Sequence, residues 1–279
     1  MWSYHVYMPR ARIVLTISAS DPTATDGVQA DLKTFSSLGV HGAAVITALS
    51  GGPAPAIALE PGLIQQQIDA ALTAMKPDIV MTGTLPDAAT VQAVADALRR
   101  HGVARLVVDP VLVGAGGVSL VDDATVQELL AQLMPLALVV TPNVAEAAML
   151  SGLPAGTWDE VRLAAEQIAS RGAKNVVIKG GRREGPVVTD LLFDGSDFRE
   201  YSTERVPIDG VSGSGSAFAA AMAASMAKGE TIEHSVAAAK AFVTKGLQNA
   251  YDLADGKPAL HHFYRYWQVR PPQHDPSDR

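Results

Sequence analysis

A glycine- and serine-rich turn, GVSGSGS at residues 210–216, precedes an alanine-rich stretch of helical period. Successive small residues let backbone N–H groups converge on one point, and a helix N-terminus adds partial positive charge there. Gly213, Ser214, Gly215 and Ser216 are therefore candidate catalytic residues that would stabilise a phosphate or a group under transfer. An ordinary serine-capped helix with a flexible lead-in is the alternative that the residues alone leave open.

A second candidate site follows a buried apolar run, where Thr141-Pro142-Asn143 leads into Glu146. Asn143 and Glu146 lie three residues apart at a predicted helix start, so both side chains can face the end of the preceding strand. A carboxylate and an amide suit water-mediated contact with Mg²⁺ near a nucleotide. A capping pair at the helix start is the alternative.

Charged residues also mark the ends of other predicted strands. Asp109 ends one strand, and Lys179 with Gly180 ends another. Asp21 and Asp31 flank the first strand-to-helix turn, where we favour helix capping or turn formation as the role of Asp21. Because parallel strands end at one edge of a sheet, these residues are predicted to lie near a common site.

The elements that would position these residues alternate along the chain. Short β-branched runs, most of them apolar throughout, predict strands covered on both faces. The predicted strands are Ile13–Ser18, Ala43–Leu49, Ile79–Thr82, Leu106–Asp109, Leu138–Thr141 and Asn175–Lys179. The predicted helices between them are Gln29–Ser37, Leu63–Met75, Ala88–Arg100, Ala124–Leu133, Val144–Ser151 and Trp158–Ser170.

The pattern changes after Lys179. Val187–Phe193 and Phe198–Val206 predict a hairpin, and the helices Ser216–Lys228 and Ile232–Ala250 follow it. The whole pattern predicts an α/β fold with a doubly wound, mainly parallel sheet. We find no fixed-period repeat and no linker rich enough in Gly, Pro or Ser to divide the chain.

Composition excludes several functional classes. A net charge of −7 and a pI of about 5.5 argue against a nucleic-acid-binding surface. The absence of cysteine excludes disulfides and thiolate metal sites, and it agrees with a cytoplasmic location. No apolar run is long enough to span a membrane. The adjacent His261 and His262 would point in different directions, which favours packing over metal binding.

The segments together resemble the hydroxymethylpyrimidine (phosphomethylpyrimidine) kinase family of the ribokinase-like superfamily. The resemblance runs in order from Ile13 to Phe263 and covers nearly the whole domain. Its most specific stretches are QADLKTF at 29–35, VITAL at 45–49, DPV at 109–111, TPN at 141–143 with Glu146, KGG at 179–181 and HHF at 261–263. The resemblance implies a ribokinase-like three-layer αβα fold over residues 11–267. Residues 1–10 are predicted as a flexible extension and 268–279 as a disordered tail.

The resemblance also implies a reaction and a set of residue roles. The γ-phosphoryl group of ATP, with Mg²⁺, would move onto hydroxymethylpyrimidine or its phosphate in thiamine synthesis, and the protein would be a homodimer. The implied positions near the nucleotide and metal are Asp109, Asn143, Glu146, Lys179, Gly180 and Lys240, with Asp109 and Glu146 nearest the metal. The implied substrate-binding positions are Ala19, Asp31, Ser50, Gly52 and Thr84.

The chain departs from the family pattern at several of these positions. The helix-start motif of the family reads GTGC, and that of related sugar kinases reads GAGD, whereas this chain has Ser216 at the last position. The family loop DPSGGAG is DPTATDG at residues 21–27. A glutamine that contacts the pyrimidine falls at Gly52, a methionine that lines the ring falls at Thr84, and a lysine falls at Ala115.

These departures leave two functions open. One is an active kinase for hydroxymethylpyrimidine, for a related ring alcohol or for another acceptor such as pyridoxal or a sugar. In it, Asp26 or Asp209 reaches the substrate oxygen in place of the missing base. The other is a homologue that binds a ring ligand or nucleotide without phosphoryl transfer, because an unassisted serine hydroxyl is a poor proton acceptor.

Overall fold

The computed structural model describes residues 10–50, 56–114, 117–181, 183–253 and 256–269. Eleven strands occur in these ranges, and nine of them form one sheet. They are β1 (Ile13–Ser20), β2 (His41–Leu49), β3 (Ile57–Ala58), β4 (Ile79–Thr82), β5 (Leu106–Val108), β6 (Ala137–Val140), β7 (Val176–Ile178), β8 (Val187–Phe193), β9 (Phe198–Glu204), β10 (Tyr251–Asp252) and β11 (Pro258–Ala259).

The sheet is parallel in its middle and antiparallel at both edges. Its strand order is β3-β2-β1-β4-β5-β6-β7-β8-β9, and the six strands from β2 to β7 in this order run parallel. The strand β3 pairs antiparallel with β2, and the β8–β9 hairpin extends the opposite edge. The two remaining strands, β10 and β11, pair with each other.

In the same ranges, eight α-helices connect and cover these strands. They are α1 (Gly27–Ser37), α2 (Pro61–Met75), α3 (Ala88–Arg100), α4 (Asp123–Gln132), α5 (Val144–Ser151), α6 (Trp158–Ala169), α7 (Ser214–Ala227) and α8 (Ile232–Gln248). Short polar side chains begin most of them. Asp87 accepts a hydrogen bond from the amide of Thr90 at the start of α3, and Thr157 forms a capping box with Glu160 at the start of α6.

Helices cover both faces of the sheet, so the molecule has the three-layer αβα architecture that the resemblance implies. One core lies under α2 to α6 and includes Leu15, Ile64 and Leu98. The other lies under α1, α7 and α8 and includes Val14 and Phe242. Successive residues of β1 point into opposite cores, which explains why the central strands carry apolar residues on both faces.

Helix α7 is buried along nearly its whole length. Its alanine residues from Ala217 to Ala227 are almost fully enclosed between the sheet, α1 and α8. Small side chains let neighbouring elements approach closely, which brings the N-terminus of α7 up to the sheet edge. Across the described ranges, the structure has no helix with the length and apolar character needed to cross a membrane.

The structure confirms most predicted elements and corrects one start that matters for function. The helices α3 and α5 and the strand β4 have the predicted bounds. Helix α7 begins at Ser214 rather than Ser216, and its N-cap is Gly213. The alternative of a serine-capped helix is therefore wrong. The two-residue strands β3, β10 and β11 were not predicted because two residues carry too little pattern to separate a strand from a loop.

Candidate active site

Three side chains from neighbouring strands meet at the carboxyl edge of the sheet. Asp109 follows β5, Thr141 follows β6 and Lys179 follows β7. The Asp109 Oδ1 accepts hydrogen bonds from Thr141 Oγ1 and from Lys179 Nζ, each at 2.7 Å. All three residues are buried, so the sequence-predicted Asp109 and Lys179 form an ion pair shielded from water.

Lys179 connects this ion pair to helix α7. Its Nζ also donates to the carbonyl of Gly215 at 3.3 Å. Burial opposes the charged form, but the carboxylates of Asp109 and Glu146 outweigh that effect and raise the pKa of Lys179. A permanent positive charge is therefore fixed beside the first turn of α7.

Asn143 and Glu146 form a capping box at the start of α5. The Asn143 Oδ1 accepts from the amides of Ala145 and Glu146 at 2.9 and 3.1 Å, and the Glu146 Oε2 accepts from the Asn143 amide at 2.8 Å. The Glu146 Oε1 accepts from the amide of Leu112 at 3.3 Å. Burial raises the pKa of Glu146, although the Lys179 ammonium acts against it. The capping interpretation of this pair is confirmed.

The residues at this edge fit Mg²⁺ held through water better than through direct ligation. Both carboxylate oxygens of Glu146 already accept backbone hydrogen bonds, and Asp109 Oδ1 already has two donors. Within the described parts of the chain, no three His, Asp or Glu side chains gather closely enough to hold a metal by themselves. Mg²⁺ keeps several waters and commonly binds one or two carboxylates together with substrate phosphates, which this arrangement allows.

A second buried ion pair lies next to the first. Lys240 of α8 donates to Asp190 Oδ2 at 2.9 Å, and the amide of Gly180 donates to Asp190 Oδ1 at 2.9 Å. A Cβ on Gly180 would lie 1.9 Å from the carbonyl oxygen of Thr189. This glycine therefore allows the backbone after β7 to lie directly against β8. Asp190 was not among the predicted residues, although a carboxylate in the otherwise apolar stretch DLLF at 190–193 was a usable signal.

The glycine at the start of α7 is fixed by its contact with the loop after β1. Gly213 has φ +75°, a left-handed conformation that favours glycine. A Cβ at this position would lie 1.8 Å from the carbonyl oxygen of Thr25 and 3.6 Å from Cα of Asp26. The first amides of a helix have no partner within the helix, so those of the first turn of α7 remain to face an anionic group.

The carboxylate of Asp21 organises the loop that contacts Gly213. Its oxygens accept hydrogen bonds from the backbone amides of Thr23, Thr25 and Asp26 at 3.0 to 3.1 Å. The prediction that Asp21 forms a turn is confirmed, and the turn directs Asp26 towards α7.

This arrangement places Asp26 beside the first turn of α7. The Asp26 carboxylate accepts a hydrogen bond from the amide of Gly27 at 2.9 Å. Burial and the nearby carboxylates of Asp109 and Asp21 raise the pKa of Asp26, against the effect of its hydrogen bonds. The other acid predicted as an alternative, Asp209, has an exposed side chain.

Three of the predicted substrate-binding positions lie at strand ends, and a fourth is enclosed below the sheet edge. Ala19, Ser50 and Thr84 follow or end β1, β2 and β4, and the Thr84 amide donates to Ser18 Oγ at 2.9 Å. Asp31 is 1% exposed and accepts from Thr16 Oγ1 at 2.6 Å, so it lies against the middle of β1 instead of at the edge. Burial raises the pKa of Asp31 well above its usual range.

For three positions named from the family pattern, contact with a ligand stays a prediction. Gly52 and Ala115 lie outside the described residues. The enclosure of Asp31 gives it a packing role between α1 and β1, and its contact with a substrate stays a prediction.

His262 is a buried imidazole beneath α8. It is 5% exposed and lies 6.5 Å from the ring of Phe242. Burial, together with the charge of Lys33, lowers the pKa of His262 to about 4. His261 is also buried and packs against Trp267, so the packing interpretation of this pair is confirmed.

The His262 site predicts a loss of stability in mild acid. An unfolded histidine binds its proton near pH 6.5, whereas the folded one resists it until about pH 4. The stability that neutral His262 contributes is therefore present above pH 6.5 and lost as the pH falls towards 4, at a cost of about 3 kcal/mol at most. Urea unfolding of His262→Phe at several pH values should show a weaker acid dependence than the parent protein.

The control for this prediction is His234→Ala, because the His234 side chain is 76% exposed. It should leave the acid dependence unchanged. If His262→Phe and the parent protein lost stability equally between pH 6.5 and pH 4, the neutral buried imidazole would be disproved.

Taken together, the edge of the sheet presents a helix N-terminus with amides available to an anion, a fixed ammonium, and a carboxylate beside the start of that helix. Such groups stabilise negative charge on a transferring phosphoryl group and accept a proton from its acceptor. This chemistry agrees with what known proteins of similar sequence and structure do.

The comparisons extend over nearly the whole chain. A family model described as phosphomethylpyrimidine kinase matches residues 21–261. The hydroxymethylpyrimidine/phosphomethylpyrimidine kinase of Rhizobium meliloti is 40% identical over 263 residues, covering 92% of this chain and 98% of the relative. The corresponding kinase of Bacillus subtilis is 38% identical over 254 residues, covering 89% and 94%.

Solved structures show the same similarity. An ADP complex of Bacillus subtilis pyridoxal kinase superposes with a TM-score of 0.84 at 30% identity and covers 90% of this chain and 97% of that one. This match confirms the predicted ribokinase-like fold class. The family model and the curated kinases agree, and the chain belongs to the phosphomethylpyrimidine kinase family.

Proposed function

We propose that this chain transfers the γ-phosphoryl group of ATP to the hydroxymethyl group of hydroxymethylpyrimidine, or to the phosphate of its phosphorylated form. This activity would place it in thiamine biosynthesis. The observation that carries the proposal is the N-terminus of α7, where Gly213 is pressed against the β1–α1 loop and Lys179 lies beside Gly215. A transferring phosphoryl group needs such fixed donors more than it needs covalent chemistry.

The nucleotide phosphates and Mg²⁺ would lie at the carboxyl ends of β5 to β7. Asp109 and Glu146 would hold Mg²⁺ through water, and the predicted nucleotide positions Asn143, Lys179, Gly180 and Lys240 surround this edge. Bound Mg²⁺ would neutralise charge on the phosphate oxygens. The ADP-bound pyridoxal kinase of similar fold supports the use of an adenine nucleotide.

A second acceptor, pyridoxal, is supported by a specific observation. The structural match at a TM-score of 0.84 is to a pyridoxal kinase, and Gly52 and Thr84 stand where the family pattern has a glutamine and a methionine. A site loses most discrimination when a buried hydrogen-bond partner is removed. Both acceptors are ring alcohols, so the same transfer chemistry serves either.

The test of the proposed function is release of ADP from ATP and Mg²⁺ in the presence of each acceptor. We expect acceptor-dependent ADP with hydroxymethylpyrimidine and with its phosphate, and a smaller kcat/KM with pyridoxal. Gly213→Ala serves as the matched impaired variant. Stabilisation of the folded chain by these ligands without any ADP release would contradict phosphoryl transfer and support the binding-only alternative.

The homodimer and the cytoplasmic location stay predictions. Sedimentation analysis of the purified chain would test the first of them.

A further inference from the structure

Arg205 donates hydrogen bonds from all three nitrogens of its guanidinium to the backbone of one turn. Its Nε donates to the carbonyl of Gly185 at 2.7 Å, and its Nη1 donates to the carbonyl of Gly181 at 2.9 Å. Its Nη2 donates to the carbonyl of Arg183. These three acceptors lie between β7 and β8, in what we call the β7–β8 turn. Because a guanidinium carries its donors in a rigid planar fork, one side chain fixes three points of this turn.

Other contacts hold the same turn. The amide of Arg183 donates to the carbonyl of Gly180 at 3.0 Å, and the guanidinium carbon of Arg183 lies 4.6 Å from the centre of the Trp158 ring. The backbone amide of Arg205 donates to the carbonyl of Pro186 at 2.8 Å. The β7–β8 turn is thereby attached to α6 on one side and to the end of β9 on the other.

The β7–β8 turn begins at Gly180, between a cleft and the first turn of α7. The cleft has a volume of about 570 Å³, lies between β9 and α8 and is lined in part by Lys240. Lys240 Nζ and the amide of Gly180 donate to the two carboxylate oxygens of Asp190, each at 2.9 Å. Lys179, the neighbour of Gly180, donates to the carbonyl of Gly215. A nucleotide that extends from this cleft to α7 would therefore lie along the turn.

The orientation of Arg205 argues against direct phosphate binding. Arginine binds a phosphate through two parallel N–H groups on one edge of its fork. Here the carbonyls of Gly181, Arg183 and Gly185 give each nitrogen of that fork a backbone partner. The guanidinium is therefore committed to the turn.

On the basis of the proposed kinase function, we propose that Arg205 is a positioning residue that fixes the β7–β8 turn as a wall of the nucleotide site. Arg205 acts through the turn and does not touch the nucleotide. A turn that is ordered before binding need not be ordered by the ligand, so the hydrogen bonds of Arg205 increase nucleotide affinity.

The acceptor of the phosphoryl group should not depend on Arg205. The predicted acceptor positions Ala19, Ser50 and Thr84 lie at the ends of β1, β2 and β4. These strands belong to the half of the sheet opposite β8 and β9. Loss of Arg205 should therefore affect the nucleotide and the acceptor unequally.

The experiment compares Arg205→Ala with the parent chain by calorimetric titration with ADP and Mg²⁺. Because three hydrogen bonds that order the turn are lost, we expect the Kd for ADP and the KM for ATP to rise about tenfold or more. The KM for hydroxymethylpyrimidine at saturating ATP should stay within about twofold of the parent value. Without nucleotide, hydrogen exchange at the Arg183 amide should be faster in the variant.

Arg205→Lys separates the guanidinium fork from its charge. Lysine keeps the positive charge but has one nitrogen on a flexible stem. We expect Arg205→Lys to lose about as much ADP affinity as Arg205→Ala and to show the same fast exchange. Recovery of the parental Kd in Arg205→Lys would assign the effect to charge and overturn the positioning role.

The matched control is Arg199→Ala, which removes an exposed arginine from the other end of β9, where Arg199 pairs with Leu192. It should leave ADP binding unchanged. An equal loss of affinity in this variant would mean that positive charge on the hairpin attracts the nucleotide, and the positioning role would fail. Arg205 is only partly buried, so we expect its variants to fold, and thermal unfolding of each one checks this.

The positioning role and the kinase function can fail separately. A parental Kd for ADP in Arg205→Ala would overturn the positioning role while the kinase function stands. A parent chain that binds ADP but phosphorylates no acceptor would contradict the proposed function, and the Kd values of the variants would still decide the role of Arg205. A parent chain that binds no ADP would overturn both.

Discussion

Gly213→Ala is expected to reduce kcat/KM for phosphoryl transfer by about 10²-fold or more. The added Cβ would lie 1.8 Å from the carbonyl oxygen of Thr25, so either the β1–α1 loop or the first turn of α7 must move. Either movement displaces the amides that face the phosphoryl group, and the loss of one such donor typically costs 10²–10³ in rate. Steady-state kinetics with hydroxymethylpyrimidine and ATP measure the effect.

Gly210→Ala is the matched control for this substitution. Gly210 has φ +77°, close to the +75° of Gly213, so both alanines pay the same penalty of about 1–2 kcal/mol for the left-handed conformation. The nearest atom to a Cβ on Gly210 is Pro258 Cδ at 3.9 Å, which is ordinary contact. Similar activity losses in the two variants would show that backbone strain, and not the contact with Thr25, is responsible.

Lys179→Met is expected to lower the free energy of unfolding by about 3–5 kcal/mol and to abolish most activity. The substitution leaves the Asp109 carboxylate buried with Thr141 as its remaining hydrogen-bond donor. An uncompensated buried charge has a cost of that size. Activity falls because the positive charge beside Gly215 is lost. Urea unfolding and ADP release measure the two effects separately.

The double variant Lys179→Met with Asp109→Asn separates the stability effect from the catalytic one. Because the neutral amide no longer needs a cation, we expect a coupling energy of about 1–3 kcal/mol between the two sites. Activity should not return, since neither the ammonium nor the carboxylate is restored. If the two stability losses simply added, the ion pair would not be the source of the Lys179 effect.

Much of this fold can be predicted from local patterns in the sequence. The runs at Ile79–Met81 and Val176–Ile178 are apolar throughout, as expected for strands covered on both faces, and the structure covers them with helices on both sides. The helix Ala88–Arg100 has an N-cap aspartate and two arginines in its last turn, so its bounds follow from short-range interactions. These signals act over a few residues and therefore do not depend on the rest of the chain.

The candidate site was predictable in part. The glycines of residues 210–216 indicated an anion site before any fold was known. The start of α7 at Ser214 was missed because glycine and serine have low helix propensity, and packing against the β1–α1 loop outweighs that preference. Asp190 was missed because its importance comes from Lys240 and Gly180, which lie elsewhere in the sequence.

The sequence by itself determined the order of strands and helices, the family, and the residue types at the strand ends. Only the tertiary structure decided which of those residues are partners. Lys179 pairs with Asp109, 70 positions away, and Asp26 lies beside Gly213, because parallel strands end at one edge and helices α1 and α7 begin beside each other there. Whether two charged residues pair depends on the distance between them in space, and a local pattern of residues does not specify that distance.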